Sequence, residues 1–254
     1  MRQLLKSFVV AGVLLVFGVR SSYAYPVLQL DIKGGTYNQS IEEIVGPKKN
    51  VFTLYAYLTP APNTSSTDIK NMLADTYYIS AALTPQAFPP GGDFGSFNFN
   101  GTTVRATQDM VYGNPPLEGN SAIYDPGDLA THGIYNTYFK EFSFTFNKNN
   151  RSTSYDTAID SGQGPTLNSQ GGTYYKAFQI DMTNLSTNLQ VHFDMYNEAV
   201  RNGDTDVNKF APFSHTARSA PIPEPSSMLL VGTGGVVALT VRWRRRRRAV
   251  ERSR

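Results

Sequence analysis

The chain of 254 residues carries 23 Lys and Arg against 20 Asp and Glu, a formal charge of +3, but the excess belongs to its two ends. Between residues 25 and 220, 12 cationic side chains stand against 18 anionic ones, a net charge of −6. The body therefore lacks the basic patch that a nucleic-acid-binding surface requires. The chain contains no cysteine, which excludes disulfides, a cysteine nucleophile and any thiolate metal site.

Residues 1–24 open with Arg2 and Lys6, continue through an apolar stretch from Phe8 to Val19, and end in Ser22-Tyr23-Ala24. A basic start, a short apolar run and a small-x-small ending predict a secretory signal peptide removed after Ala24. The apolar run is too short for a permanent span. An exported chain without disulfides must be held by core burial, with calcium as a conceivable aid.

The body, residues 25–216, has enough length for one well-cored domain. The chain's 15 Tyr and 15 Phe, nearly all in this body, with many Thr, Asn and Gly, favour strands joined by turns. Tyr25–Ile32 alternates Leu28, Leu30 and Ile32 with Gln29 and Asp31, the pattern of a half-buried strand. Short strands follow at Thr36-Tyr37 and over Ile41–Val45. Val51–Leu58 is apolar on both faces and is expected in the middle of a sheet.

Pro60–Asp68 reads as a polar loop, Asp75–Leu83 as a strand, and Pro85–Gly92 as a proline-broken loop. Phe94, Phe97 and Phe99 begin an aromatic strand that can continue through Val104, followed by a long loop over Thr107–Thr131. Phe139–Phe146 places Phe142, Phe144 and Phe146 on one face, with Glu141, Ser143 and Thr145 on the other. Asn147–Gln170 reads as a loop, and Tyr174–Met182 and Leu189–Tyr196 as strands. Arg201–Asn208 reads as a turn. Apart from one possible turn at Glu198–Arg201, no stretch of the body shows helical periodicity. The expectation is an all-β, antiparallel sandwich of jelly-roll type.

The end of the chain is the most specific stretch. Residues 217–227 form a proline-rich linker containing Pro223, Glu224 and Pro225; residues 228–241 are apolar and uncharged; residues 242–254 hold Arg242 and Arg244, Arg245, Arg246, Arg247 and Arg248. Fourteen helical residues rise about 21 Å, short of a hydrocarbon core of about 30 Å. With interfacial residues added, a thin transmembrane helix is feasible, and the arginine block fixes it with that end in the cytoplasm. Pro-Glu-Pro, a short glycine-containing apolar helix and a terminal arginine cluster closely resemble the bacterial PEP-CTERM sorting signal.

That resemblance implies recognition in the inner membrane, and cutting near the motif, by an exosortase, a membrane peptidase. Pro223, Glu224 and Pro225 would then be substrate rather than catalyst. It also implies display on the cell envelope, cell surface or extracellular matrix, in association with exopolysaccharide. An ordinary retained anchor is the alternative. Phrases in the body, His132–Phe139, Lys140–Phe146, Val191–Tyr196 and Phe210–His215, resemble a secreted choice-of-anchor domain family, which implies a surface protein and supplies no catalytic residue.

Residues able to carry chemistry are few. His132, His192 and His215 show no zinc spacing. His192 alternates with Val191 and Phe193, so it shares a face with Gln190 and Asp194 in a solvent-facing or satisfied polar position. Ser214 beside His215 lacks a Gly-x-Ser-x-Gly elbow. Asp204, Asp206 and Asn208 set oxygen ligands at alternate positions, as a calcium loop does, without the glycine and glutamate of a full loop; an Asp-rich turn is the plainer reading. The pairs Asp125/Asp128 and Asp156/Asp160 are candidates for a hydrolase carboxylate pair, with nothing distinctive in their spacing. Exposed tyrosines can pack on sugars, although strand-spaced aromatics ordinarily serve the core. The expectation is a non-enzymatic exported protein with no cofactor, with a carbohydrate-binding module or a secreted glycan hydrolase as alternatives.

Overall fold

The computed structural model describes residues 28–115, 135–201, 204–211 and 216–220, with the backbone alone for 198–210. The signal sequence with Ala24, His132, His215, Asp125, Asp128 and the whole tail from Pro221 lie outside the described residues.

The described residues form two packed sheets. The first is built on β4 (Val51–Leu58), which runs antiparallel between β1 (Leu28–Ile32) and β11 (Thr173–Asp181). It continues through β6 (Ser96–Phe99) to β7 (Thr102–Arg105), and β10 (Arg151–Ser152) also pairs with β11. The central place expected for Val51–Leu58 is observed. The aromatic strand expected from Phe94 does not run on to Val104. It folds into a hairpin, because Asn100 and Gly101 take positive φ, of 50° and 92°, and Asn98 Oδ1 accepts from the Gly101 amide at 2.8 Å.

The second sheet has the order β2 (Thr36–Asn38), β3 (Glu43–Val45), β14 (Thr216–Arg218), β12 (Gln190–Arg201), β5 (Tyr77–Thr84), β9 (Thr137–Phe144), β8 (Val111–Gly113). β13 (Asp204–Phe210) folds back on the far half of β12. The residues expected to form a turn over 201–208 are thus mostly strand, with only residues 202 and 203 between β12 and β13. Glu198–Arg201 continues β12 rather than making a helical turn. The sandwich is not wholly antiparallel either. β14 fills the slot between β3 and β12, antiparallel to β12 and parallel to β3.

Alternation explains the packing. Leu28, Leu30, Ile32, Phe52, Leu54, Phe97, Phe99, Phe178 and Ile180 of the first sheet meet Tyr77, Ile79, Leu83, Val191, Phe193 and Met195 of the second in one buried core. Phe52 and Phe193 meet edge to face across the sheets, with centroids 6.3 Å apart. Phe142, Phe144 and Phe146 point inward together, Phe142 stacking on Phe99 at 4.0 Å.

Two short helices interrupt stretches that read as loop. α1 (Ser66–Ala74) begins at Ser65, whose Oγ accepts from the Asp68 amide at 3.1 Å and donates to the Asp68 carboxylate at 2.7 Å. Ile69, Met72 and Leu73 lie at helical spacing and rest on the edge of the core. α2 (Thr157–Asp160) is one turn, capped by the Asp156 carboxylate accepting from the Ala158 amide at 2.9 Å.

Candidate functional site

A row of charge runs across the second sheet, on the side away from the core. Because Val191 and Phe193 point inward, His192 and Asp194 of β12 point outward with the parity the sequence dictates. Both are nonetheless buried, as is Glu43 of β3, while Arg218 of β14 is partly exposed. Register places Arg218 directly opposite His192, and β14 brings Glu43 alongside.

His192 Nε2 is 3.0 Å from Asp194 Oδ1, and Nδ1 is 3.2 Å from Glu43 Oε1. Arg218 Nε lies 3.2 Å from Glu43 Oε2, near enough for attraction but out of hydrogen-bond line. Burial by itself would push the imidazole down, but Asp194 and then Glu43 outweigh it and raise His192 to about 10. Two cations thus stand against two carboxylates. Ser80 pairs with Asp194 in register, yet its Oγ is fully buried and without a hydrogen-bond partner. The arrangement ties three strands together; it does not present a nucleophile to solvent.

A second polar cluster is scarcely marked in the sequence. Gln29 and Asp31 alternate with core residues on β1, which reads as a solvent face, yet both are fully buried. Residues 153–164 roof that face. Gln29 Oε1 accepts from the Thr157 amide at 2.9 Å and its hydroxyl at 2.7 Å, while Gln29 Nε2 donates to the Tyr155 carbonyl at 2.9 Å. Asp31 accepts from the amides of Gly162 at 2.8 Å and Gly164 at 3.3 Å. Tyr155 stacks flat on Tyr57 at 3.9 Å, covering the outer face of β4. Burial raises Asp31 to about 6, against the lowering effect of these donors. Gly162 lies against the Gly35 backbone with φ +78°, where a Cβ would collide with the Gly35 carbonyl. The one signal in the sequence was the Gly162-Gln163-Gly164-Pro165 run.

Two open grooves flank the first sheet at opposite ends. One, of about 520 Å3, is lined by Lys33, Pro47, Lys49, Val51, Thr53 and Gln179 among others. The other, of about 550 Å3, lies between the end of α1 and the end of β9 and gathers Lys70, Lys148 and Lys176 around Leu73 and Phe146. Lys176 holds its ammonium over the rings of Phe144 and Phe178, at 5.5 and 5.7 Å. No carboxylate lines either groove.

Asp204 and Asp206 are in register with Arg201 and Ala199 in a paired strand, and Asn208 falls at the irregularity opposite Asn197/Glu198. Among the described residues, no group of three or more His, Cys, Asp or Glu is placed to hold a metal ion. Asp156 and Asp160 belong to the α2 cap, where Asp160 Oδ2 accepts from the Asp156 amide at 2.9 Å. Among the described residues, no helix is long and apolar enough to cross a membrane.

The folded part extends past the expected edge at residue 216. Thr216 and Ala217 are buried within β14, Ser219 N donates to the Val191 carbonyl at 2.9 Å, and Ser219 Oγ accepts from the Val191 amide at 2.9 Å. Ala220 is still buried. None of the curated proteins matches the chain. The segment that begins one residue beyond the fold, residues 221–247, matches the family model described as the PEP-CTERM protein-sorting motif, and this motif implies an exported protein sorted through an exosortase.

Proposed function

We propose that this protein is a non-enzymatic β-sandwich of the cell envelope or extracellular matrix, held briefly in the inner membrane by residues 228–241 and released by exosortase cleavage near Glu224. The observation that carries the reading is the sorting motif at residues 221–247, attached directly to a folded domain that reaches Ala220. The buried charge row and the roofed Gln29–Asp31 cluster serve cohesion, as a display domain without disulfides requires. The phrase-level resemblance of the body to choice-of-anchor domains is in line with the same role, and association with exopolysaccharide in the matrix is part of the proposal.

The test is the intact mass of the protein recovered from its host, compared with a strain lacking the peptidase. The expected mature form lacks residues 1–24 and the arginine tail, and the tail persists in the deletion strain. Arginines retained in both strains would make residues 228–241 a permanent anchor. A second reading, binding of an anionic glycan, is favoured by the groove of Lys70, Lys148 and Lys176. It predicts salt-sensitive retardation in gels containing a uronate polymer, lost in the Lys70→Glu/Lys148→Glu variant.

A further inference from the structure

The place where the chain leaves the fold is fixed by register. β14 runs parallel to β3, with Arg218 beside Val45, and Gly46 N donates to the Arg218 carbonyl at 2.8 Å. Ser219 bonds Val191 on the other side. The exit at Ala220 therefore lies next to the Pro47–Asn50 crossing that carries the chain from β3 to β4. That end of the sandwich bears Lys33, Lys48 and Lys49, all exposed, and none has an ion-pair partner among the described residues. Val51, 52 % exposed, lies among them. Phe88, 63 % exposed, sits in the loop after Thr84, which pairs with Gln190 at the same end of β12.

Among the described residues, the acidic groups near this end include Asp181, directly opposite Val51 in register and accepting from the Thr183 amide, Asp93, accepting from the Gly95 amide toward β6, and Glu43, held against Arg218 and His192. In a body of net charge −6, this end gathers lysines and exposed apolar side chains around the point where the chain leaves the fold, whereas the groove of Lys70, Lys148 and Lys176 lies at the opposite end. Lysine with exposed aromatic or aliphatic side chains is the composition of a surface that rests on lipid headgroups.

The tether is short. Seven residues, 221–227, separate Ala220 from the apolar run that starts at Met228, and three of them are proline. Their greatest reach is about 25 Å, so the domain cannot wander from the bilayer while the tail is held there. We infer that the Lys33/Lys48/Lys49 end docks on the anionic headgroups of the membrane's outer face until the tail is cut, presenting Pro223–Pro225 at a fixed height. This rests on the membrane-held tail proposed above.

The experiment places the full chain in vesicles containing phosphatidylglycerol and, separately, in phosphatidylcholine vesicles. Lysine acetylation by a water-soluble reagent is then followed residue by residue. In the anionic vesicles Lys33, Lys48 and Lys49 are expected to react about fivefold more slowly, while Lys70 and Lys148 at the opposite end react alike in both. The protection should vanish at 0.5 M salt, about three times physiological ionic strength, and Lys33→Glu/Lys48→Glu/Lys49→Glu should still float with the vesicles but leave Phe88 accessible to radical footprinting. Equal reactivity of the three lysines in both lipids, in protein that floats, overturns docking and leaves the tail reading intact. Protein that does not float overturns the tail reading and docking with it. Protection that arises only when the peptidase is co-reconstituted overturns the lipid partner in favour of the peptidase's own surface.

Discussion

His192 lies between Asp194 and Glu43 with both ring nitrogens within 3.2 Å of a carboxylate oxygen, so its protonation and the integrity of the sheet are linked. Its pKa rises on folding from 6.5 to about 10. The stabilisation is complete below about 6.5 and is lost as pH rises through about 10. Urea midpoints should fall between pH 7 and 10 in the native sequence, and His192→Gln should lack that fall. The variant takes the imidazolium from buried Asp194 and leaves Glu43 with Arg218 as its cation, and should lose roughly 3–5 kcal/mol at pH 7. Asp31 has the opposite habit to an ordinary carboxylate. Burial raises it from 3.8 to about 6, so its protonated form favours the fold; that contribution is present below 3.8 and lost as pH rises through about 6. Asp31→Asn should flatten stability between pH 4 and 6, and at pH 7.5 change it by less than about 1 kcal/mol, since the amide oxygen still serves the Gly162 amide. A steep slope surviving in the variant would assign that pH range to another group.

Among the elements, those with long alternating patterns were readable in the sequence and those without were not. β4, β5, β9, β11 and the first half of β12 follow from apolar spacing alone, and Phe142, Phe144 and Phe146 take the face their spacing dictates. β14 did not: Thr-Ala-Arg has no pattern, and the slot between β3 and β12 makes it a strand. Gln29 and Asp31 misled because period two reports which way a side chain points, not what lies above it, and their roof comes from residues far along the chain. For the same reason the inward-outward parity of His192 was legible while its partners Glu43 and Arg218 were not. α1 had its own signal, the Ser65-x-x-Asp68 box ahead of Ile69, Met72 and Leu73, outweighed by a run of polar residues. Ser65→Ala should cost about 1 kcal/mol, read as a shift in urea midpoint without change of slope. Gly162→Ala forces a Cβ against the Gly35 carbonyl in a positive-φ turn and should cost at least about 2 kcal/mol, with faster proteolysis within residues 153–164 as the local readout. The sorting motif was legible in full because a linear signal is read by another protein and needs no fold to assemble it.

At the scale of the molecule, the boundary at Ala220 makes a sharp demand on any truncated form. A chain spanning residues 25–220 keeps β14, the Arg218–Glu43 contact and the Ser219–Val191 bonds, and should unfold in a single cooperative transition. One spanning 25–215 leaves β3 and β12 facing an empty slot and should bind a hydrophobic dye and unfold with a shallower slope. Equal cooperativity in the two would show that β14 is dispensable.

β14 also sets a timetable. During secretion the chain crosses the membrane amino end first, so β3 is outside long before its neighbour of the finished sheet. The slot can close only when residues 216–218 have followed. Closure of the sandwich and arrival of the sorting motif at the membrane are therefore nearly the same event, separated by a handful of residues. The peptidase meets a substrate whose upstream domain has only just become able to finish folding, and a domain that fails to take up its last strand reaches the cutting site with its middle open.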